Sequence, residues 1–184
     1  MLGKFNIVEE INDDNLYLRK ISKDDILFYY NSLKIPELTK YQPMQPLTSI
    51  EHSKRLIKSY LKKWDELSQF NYIIEERNEK VNKLGALSLW NINWFHRRLE
   101  IGIWLLPKYW NRGYGKRAIN LVKIIVFKFL NFNRIEAHIS VKNVNSLNLF
   151  KTCGFTEEGR LFQYLNLNGE YHDAVVLSFL KKDF

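Results

Sequence analysis

The sequence predicts a mixed α/β domain around a central, mostly antiparallel sheet, and three observations carry that prediction. First, the apolar run LEIGIWLLP ends at Pro107, and a short turn carrying Gly113 and Gly115 leads into a long apolar helix pattern from Lys116. Second, strand-like segments Arg160 to Leu167 and Tyr171 to Leu180 flank Asn168-Gly169, the strongest short-range hairpin signal. Third, strand and helix patterns alternate along the chain without linkers, low-complexity stretches or internal repeats.

In order along the chain, Leu16 to Ile21 (LYLRKI) alternates as a strand. Ser22 and Asp25 form a capping-box pattern for a helix to about Leu33. The stretch PELTKYQPMQPLTS holds three of the four prolines and reads as a loop. Thr48 or Ser49 then caps a helix to about Leu67. Phe70 to Glu75 and Leu84 to Trp90 pair around the polar turn RNEKVN, and Arg97 to Leu106 is the strand before the glycine turn. From Lys116 to Leu130 apolar residues cover more than one face, as in a helix packed on several sides. Arg134 to Val141 is a strand, and Ser146 to Thr152 a short helix stopped by Gly154. With the closing hairpin, the sum is about seven strands flanked by about four helices.

The 184 residues fit a single domain spanning 1–184, with a core from about 15 to 180. Hydrophobic content of 46% and charged content of 26% are globular values. The single cysteine, Cys153, excludes an internal disulfide and fits a reducing compartment. The start MLGKFNIVEEINDDN carries acids where a secretion signal needs basic and then apolar residues. No apolar run reaches the ~18 residues that would cross a bilayer, so a cytoplasmic protein without a membrane partner is expected. The formal charge of +8 fits anionic partners such as a phosphorylated coenzyme, an acidic peptide or a ribosome surface; it equally fits a Lys- and Asn-rich proteome.

Strand, glycine turn and helix in that order build an anion site, because N–H groups at a helix start point outward unpaired and the dipole adds partial positive charge. Arg112 and Lys116 add formal charge. Two phosphate-binding patterns fail here. The triphosphate loop GxxxxGK needs Ser or Thr where Arg117 stands, and the dinucleotide fingerprint needs a third glycine.

The strand LEIGIWLLP, the turn WNRGYGKRA, the strand RIEAHISV, the segment NVNSLNLFKTCGF and the closing NLNGEYHDAVVLSFL follow the order and spacing of the GNAT acetyltransferases. The chain resembles that superfamily from about Asn15 to Leu180, and within it the RimJ/RimL branch that acetylates N-termini of ribosomal proteins. Spermidine acetyltransferases are nearly as similar, notably at INWFHRRLEIGI. The family's coenzyme turn is Arg/Gln-x-x-Gly-x-Gly/Ala, and Trp110 occupies the Arg/Gln place, as in many RimJ/RimL proteins.

The resemblance implies a GNAT fold and an enzyme that moves an acetyl group from acetyl-CoA directly to an amine. It implies coenzyme contacts from Trp104, Leu105, Leu106, Asn111, Arg112, Gly113, Tyr114, Gly115, Lys116, Asn143 and Ser146. Main-chain N–H groups near Leu105 would bind the thioester oxygen where the strand Arg134 to Val141 splays away; one such pre-aimed donor contributes about 3–4 kcal/mol. Glu100, alone among apolar residues, is the nominated base, and equally fits a structural glutamate paired with Arg97 or Arg98. Many GNAT enzymes take their acid from a tyrosine at the place of Phe150; the RimJ/RimL branch has Asn-x-x-Ser instead, matching Asn143 and Ser146, with Ser146 serving the sulfur. Asn143 or Asn145 also reads as a helix cap, with Ser146 in the first turn. A glutamate used as base by some members falls at Leu165.

Tyr41, Trp90 and Trp94 are candidates for the acceptor pocket. His96, His138 and His172 lack metal-ligand spacing, so no metal is expected. The expected acceptor is a protein N-terminal α-amine, with nucleic acid not expected as substrate and a monomer or homodimer as the assembly. The rivals are a small amine or polyamine acceptor, and a catalytically inactive module docking on RNA or ribosome, for which Phe150 and Leu165 speak. A polycation calls for several carboxylates, where the chain has Ser88 and Asn91.

Overall fold

The computed structural model describes residues 7–184; the opening MLGKFN, read above for a leader, lies outside them. Eight strands form one sheet in the order β1-β2-β3-β4-β5-β6-β8-β7. They are β1 (Glu10–Asp13), β2 (Leu16–Lys20), β3 (Phe70–Arg77), β4 (Val81–Asn93), β5 (Arg98–Leu105), β6 (Arg134–Ser140), β7 (Thr156–Leu167) and β8 (Glu170–Leu180). The helices are α1 (Ile26–Leu33), α2 (Pro36–Thr39), α3 (Ile50–Asp65), α4 (Tyr114–Ile124) and α5 (Val144–Thr152). The class is the mixed, mostly antiparallel one expected, with one more strand and one more helix than the sequence shows. The added strand β1 is short, polar and at the sheet edge, so it lacks an alternating apolar pattern. The added helix α2 lies within the proline-rich stretch, where Pro36 occupies the first turn and needs no N–H partner.

Local signals act where expected. Ser22 and Asp25 make a reciprocal capping box, and Ser49 Oγ accepts from the His52 N–H at 3.1 Å to start α3. Asn168 and Gly169 both have positive φ (55° and 89°), the requirement of a two-residue primed hairpin turn. The long helix does not stay α throughout. After Ile124 it widens into a π-turn, Ile125–Phe129, with the Leu130 N–H bonded to the Ile125 carbonyl at 2.9 Å.

One sheet face carries Leu87, Leu89, Leu99, Ile101 and Leu105, packed with Ile119, Val122, Val126 and Phe155 into the main core. The opposite face holds a second core where α1 and α3 cover it, around Ile73, Ala86, Tyr29 and Ile57. Buried Lys123 of α4 donates to the Cys153 carbonyl at the end of α5, fixing the two helices together.

Candidate active site

The site begins where two strands part. β5 and β6 are the one parallel pair of the described sheet, and they pair only from Arg98↔Arg134 to Glu100↔Glu136. Beyond that, β5 continues against β4, and β6 against β8. The Leu106 N–H bonds the Leu84 carbonyl at 2.8 Å, which makes 106/84 a hydrogen-bonded pair of the antiparallel ladder. Alternation then turns the main-chain groups of Ile103 and Leu105 away from β4, into the cleft that β6 vacates. The Leu105 carbonyl accepts from the Trp110 indole at 2.6 Å, so its N–H is the group left facing the cleft. Of the three backbone positions singled out, Leu105 presents a donor there, whereas the Leu106 N–H is used by β4. The Trp104 side chain stacks on Phe28 at 5.7 Å under α1.

The turn after β5 supplies the second part. Asn111 (φ 56°) and Gly113 (φ 80°) are left-handed, and Gly113 is the N-cap of α4 without a side-chain cap. The first N–H groups of α4, at Tyr114, Gly115 and Lys116, therefore face outward. The two glycines differ in purpose. A Cβ on Gly113 would meet nothing within 4 Å, whereas one on Gly115 would stand 3.0 and 3.2 Å from the Leu149 methyls. Gly113 leaves open space in front of the amides, and Gly115 lets α5 approach α4. Arg112 and Lys116 are exposed beside this turn. The Tyr114 hydroxyl is turned aside to Glu76 Oε1 at 2.7 Å, and that carboxylate raises the phenol's pKa. Open amides, flanking cations and a cleft-facing Leu105 N–H fit a coenzyme diphosphate and thioester arm.

α5 closes the other side. Asn143 Oδ1 accepts from the Ser146 N–H at 3.3 Å, so Asn143 is a helix cap, and both residues stay partly exposed where β6 ends. The Tyr41 hydroxyl donates to the Lys142 carbonyl at 3.1 Å, bringing the proline-rich loop to the start of α5. Phe150 lies in the core, 2% exposed, with its ring edge-on to Phe155. Burial raises the Cys153 thiol pKa, which excludes a ready thiolate nucleophile.

Glu100 is buried on the sheet face opposite the main core. Its cross-strand partner Trp90 lays its ring over Gly102, 2.6 Å from where a Cβ would sit. Trp94 does not join this group. Its indole donates to the Leu67 carbonyl at 3.1 Å and its ring packs on Phe132, so its assignment to the acceptor pocket is corrected to a packing role. Sequence reasoning passed over two polar groups on the Glu100 face. Asn71 Nδ2 is buried without a hydrogen-bond partner among the described residues, and buried His138 Nδ1 stands 3.2 Å from Glu100 Oε1 without an aligned hydrogen bond. Asn71 pairs with Ser88, which pairs with Gly102; His138 lies two residues past the last β5–β6 pairing, level with Gly102. An unsatisfied buried amide of this kind is found at sites that await a ligand or reacting group.

The Acetyltransferase (GNAT) domain family matches residues 15–156. Spermidine N(1)-acetyltransferase from Vibrio cholerae is 27% identical over 172 residues, covering 94% of this chain and 96% of the relative. A crystal structure of spermidine N-acetyltransferase from Vibrio cholerae in complex with CoA and spermine has a TM-score of 0.82 and covers 93% of this chain and 98% of that one. The uncharacterized N-acetyltransferase YoaA from Bacillus subtilis is 30% identical over 171 residues, 93% of this chain and 96% of the relative. The structure of ribosomal-protein-S5-alanine acetyltransferase from Vibrio fischeri, 24% identical, shares the fold at a TM-score of 0.83 over 95% of this chain and 97% of its own.

Proposed function

We propose, on the premise that this chain belongs to the GNAT acetyltransferase family and is an acetyl-CoA-dependent N-acyltransferase, that it acetylates a singly charged primary amine, the α-amine of a protein N-terminus first among them. The observation that carries the choice of acceptor is the neutralisation of carboxylates on the Glu100 face. Asp25 and Glu75 are bound by Arg19, Glu136 by Arg98 and Arg134, and Glu158 by Arg134. Glu100 is the one carboxylate there without an Arg or Lys partner in the described residues, and its neighbour is the His138 ring. Its flanks are neutral Asn71 and Ser88 and the Trp90 ring. A face without a cluster of free carboxylates suits an acceptor with one ammonium; a polyamine asks for several.

The coenzyme diphosphate would rest on the amides of Tyr114, Gly115 and Lys116, with Arg112 and Lys116 beside it. The Leu105 N–H supports the oxyanion that develops at the carbonyl, and Ser146 on α5 serves the departing sulfur. Acetyl-CoA supplies the activated acyl group, and the protein's part is orientation, proton removal and charge stabilisation.

A polyamine acceptor is the second reading, favoured by the similarity to spermidine acetyltransferases along 94% of the chain. The same purified chain, acetyl-CoA and a thiol-release assay test both. N-terminal peptides are expected to turn over with higher kcat/KM than spermidine or spermine, and mass spectrometry locates the acetyl group. Saturation by spermidine with peptides inert would make the second reading the correct one. Absence of thiol release with every amine would remove both.

A further inference from the structure

Glu100 does not stand alone. His138, 38 residues further along and on the other side of the parting strands, brings Nδ1 to 3.2 Å from Glu100 Oε1. The two side chains are 10% and 12% exposed, and Nδ1 has no aligned hydrogen bond. No described residue hydrogen-bonds Nε2. From this geometry, and resting on the acetyl-transfer reading above, we infer that His138 is the group that takes the proton from the acceptor ammonium, with Glu100 as its positioning residue.

The roles follow from which nitrogen meets the carboxylate. A carboxylate at Nδ1 selects the tautomer with hydrogen on Nδ1 and leaves the Nε2 lone pair to accept. It also stabilises the imidazolium once formed. Before attack, one N–H bond of the ammonium breaks, its electron pair stays on the amine nitrogen, and the proton passes to Nε2. The pair then goes from one net negative charge to none, which a largely buried site accommodates more readily than a lone new charge. As the C–N bond forms and the C–S bond breaks, the second nitrogen proton goes to the sulfur, and His138 returns its proton to water.

The surroundings support this assignment. Glu100 raises the imidazole pKa above its ordinary value, burial opposes that, Glu136 adds to it and Arg134 subtracts. Glu136 is itself ion-paired to Arg134 at 2.6 Å and Arg98 at 3.4 Å, so Glu100 is the carboxylate free to hold the ring. From β7 the Tyr164 ring stands edge-on at 5.2 Å, and from β8 the cross-strand partner is the apolar Val176.

The test is the pH dependence of kcat/KM from about pH 5 to 9 for the wild-type chain and its H138Q and E100Q variants. Wild type should show an acid limb with its midpoint above 6.5, the ordinary histidine value. E100Q should move that midpoint down. H138Q should abolish the limb and lower kcat/KM by about 100-fold or more, with KM for acetyl-CoA unchanged. NMR titration of the His138 ring gives a second readout that needs no turnover, and E100Q should lower the ring's pKa there too. H138Q within about threefold of wild type, limb intact, would overturn the assignment; so would a His138 ring that titrates identically in wild type and E100Q. Wild type inert toward every amine would defeat the acetyl-transfer reading instead, while the ring titration still decides the pairing.

Discussion

Gly113 and Gly115 stand two residues apart in one turn, and substituting each with alanine should fail in different ways. At Gly113 the φ of 80° is the whole problem, because a Cβ there meets nothing within 4 Å. A non-glycine residue held left-handed costs about 1–2 kcal/mol. At about 2–4 °C per kcal/mol for a chain of this size, Gly113→Ala should melt roughly 2–8 °C lower. Gly113→Asn should recover more than half of that, since asparagine tolerates this backbone and no neighbour crowds its side chain. At Gly115 the backbone is ordinary helix, where alanine gains about 1 kcal/mol in propensity. Its Cβ meets the Leu149 methyls at 3.0 and 3.2 Å, and these are ends of a flexible side chain that can retreat by a few tenths of an ångström. The two effects nearly cancel, so Gly115→Ala should stay within about 1 kcal/mol of wild type. Differential scanning calorimetry with and without CoA measures all three. Gly113→Ala melting with wild type, or Gly113→Asn melting no higher than Gly113→Ala, would refute the conformational account of this turn.

Ser146→Ala should lower kcat about tenfold or more at constant KM for the amine, with stability changed by less than about 0.5 kcal/mol, because Asn143 caps the helix through the backbone N–H and not the hydroxyl; steady-state kinetics and melts check both. Phe150→Tyr should not raise kcat, since the position is in the core; its hydroxyl should cost about 1–3 kcal/mol in urea unfolding. Asp25 is fully buried; burial works to raise its pKa, and Arg19, Lys83 and the Ser22 N–H together overcome that and lower it. A lowered folded pKa means its stabilisation is full above the ordinary value of 3.8 and is lost as pH falls through the folded value. Asp25→Asn should therefore cost about 1–3 kcal/mol at pH 7 by chemical denaturation, Arg19 keeping its pair with Glu75, with the gap to wild type narrowing in strong acid.

Most of the fold was legible because its signals are local. The capping box at Ser22, the Ser49 cap, the Asn168-Gly169 turn and the Gly154 stop each act within a few residues, and each is realised. What escaped depends on partners far away in the chain. The strand Glu10–Asp13 exists by pairing with Leu16–Lys20, and its one apolar residue, Ile11, gives no pattern alone. His138 reads as an ordinary strand residue until the parallel register sets it diagonally across from Glu100. Trp94 and Trp90 are four residues apart with the same chemistry, and the register shift between Trp90 and Asn93 is what sends them to different surroundings. The glycine turn was visible as an anion site, but the division of labour between its glycines needed the position of Leu149.

The three-residue contact between β5 and β6 makes the sheet two leaves fastened at one end, with the ion pair of Glu136 to Arg98 as the clasp. A chain molecule lying in the gap would act as a splint, replacing the missing neighbour along Ile103 and Leu105. Occupancy and mechanical continuity of the sheet then become one event. Amide hydrogen exchange along β5 should slow together with that along the β6–β8 leaf when coenzyme binds, although β8 lies a strand away from the gap.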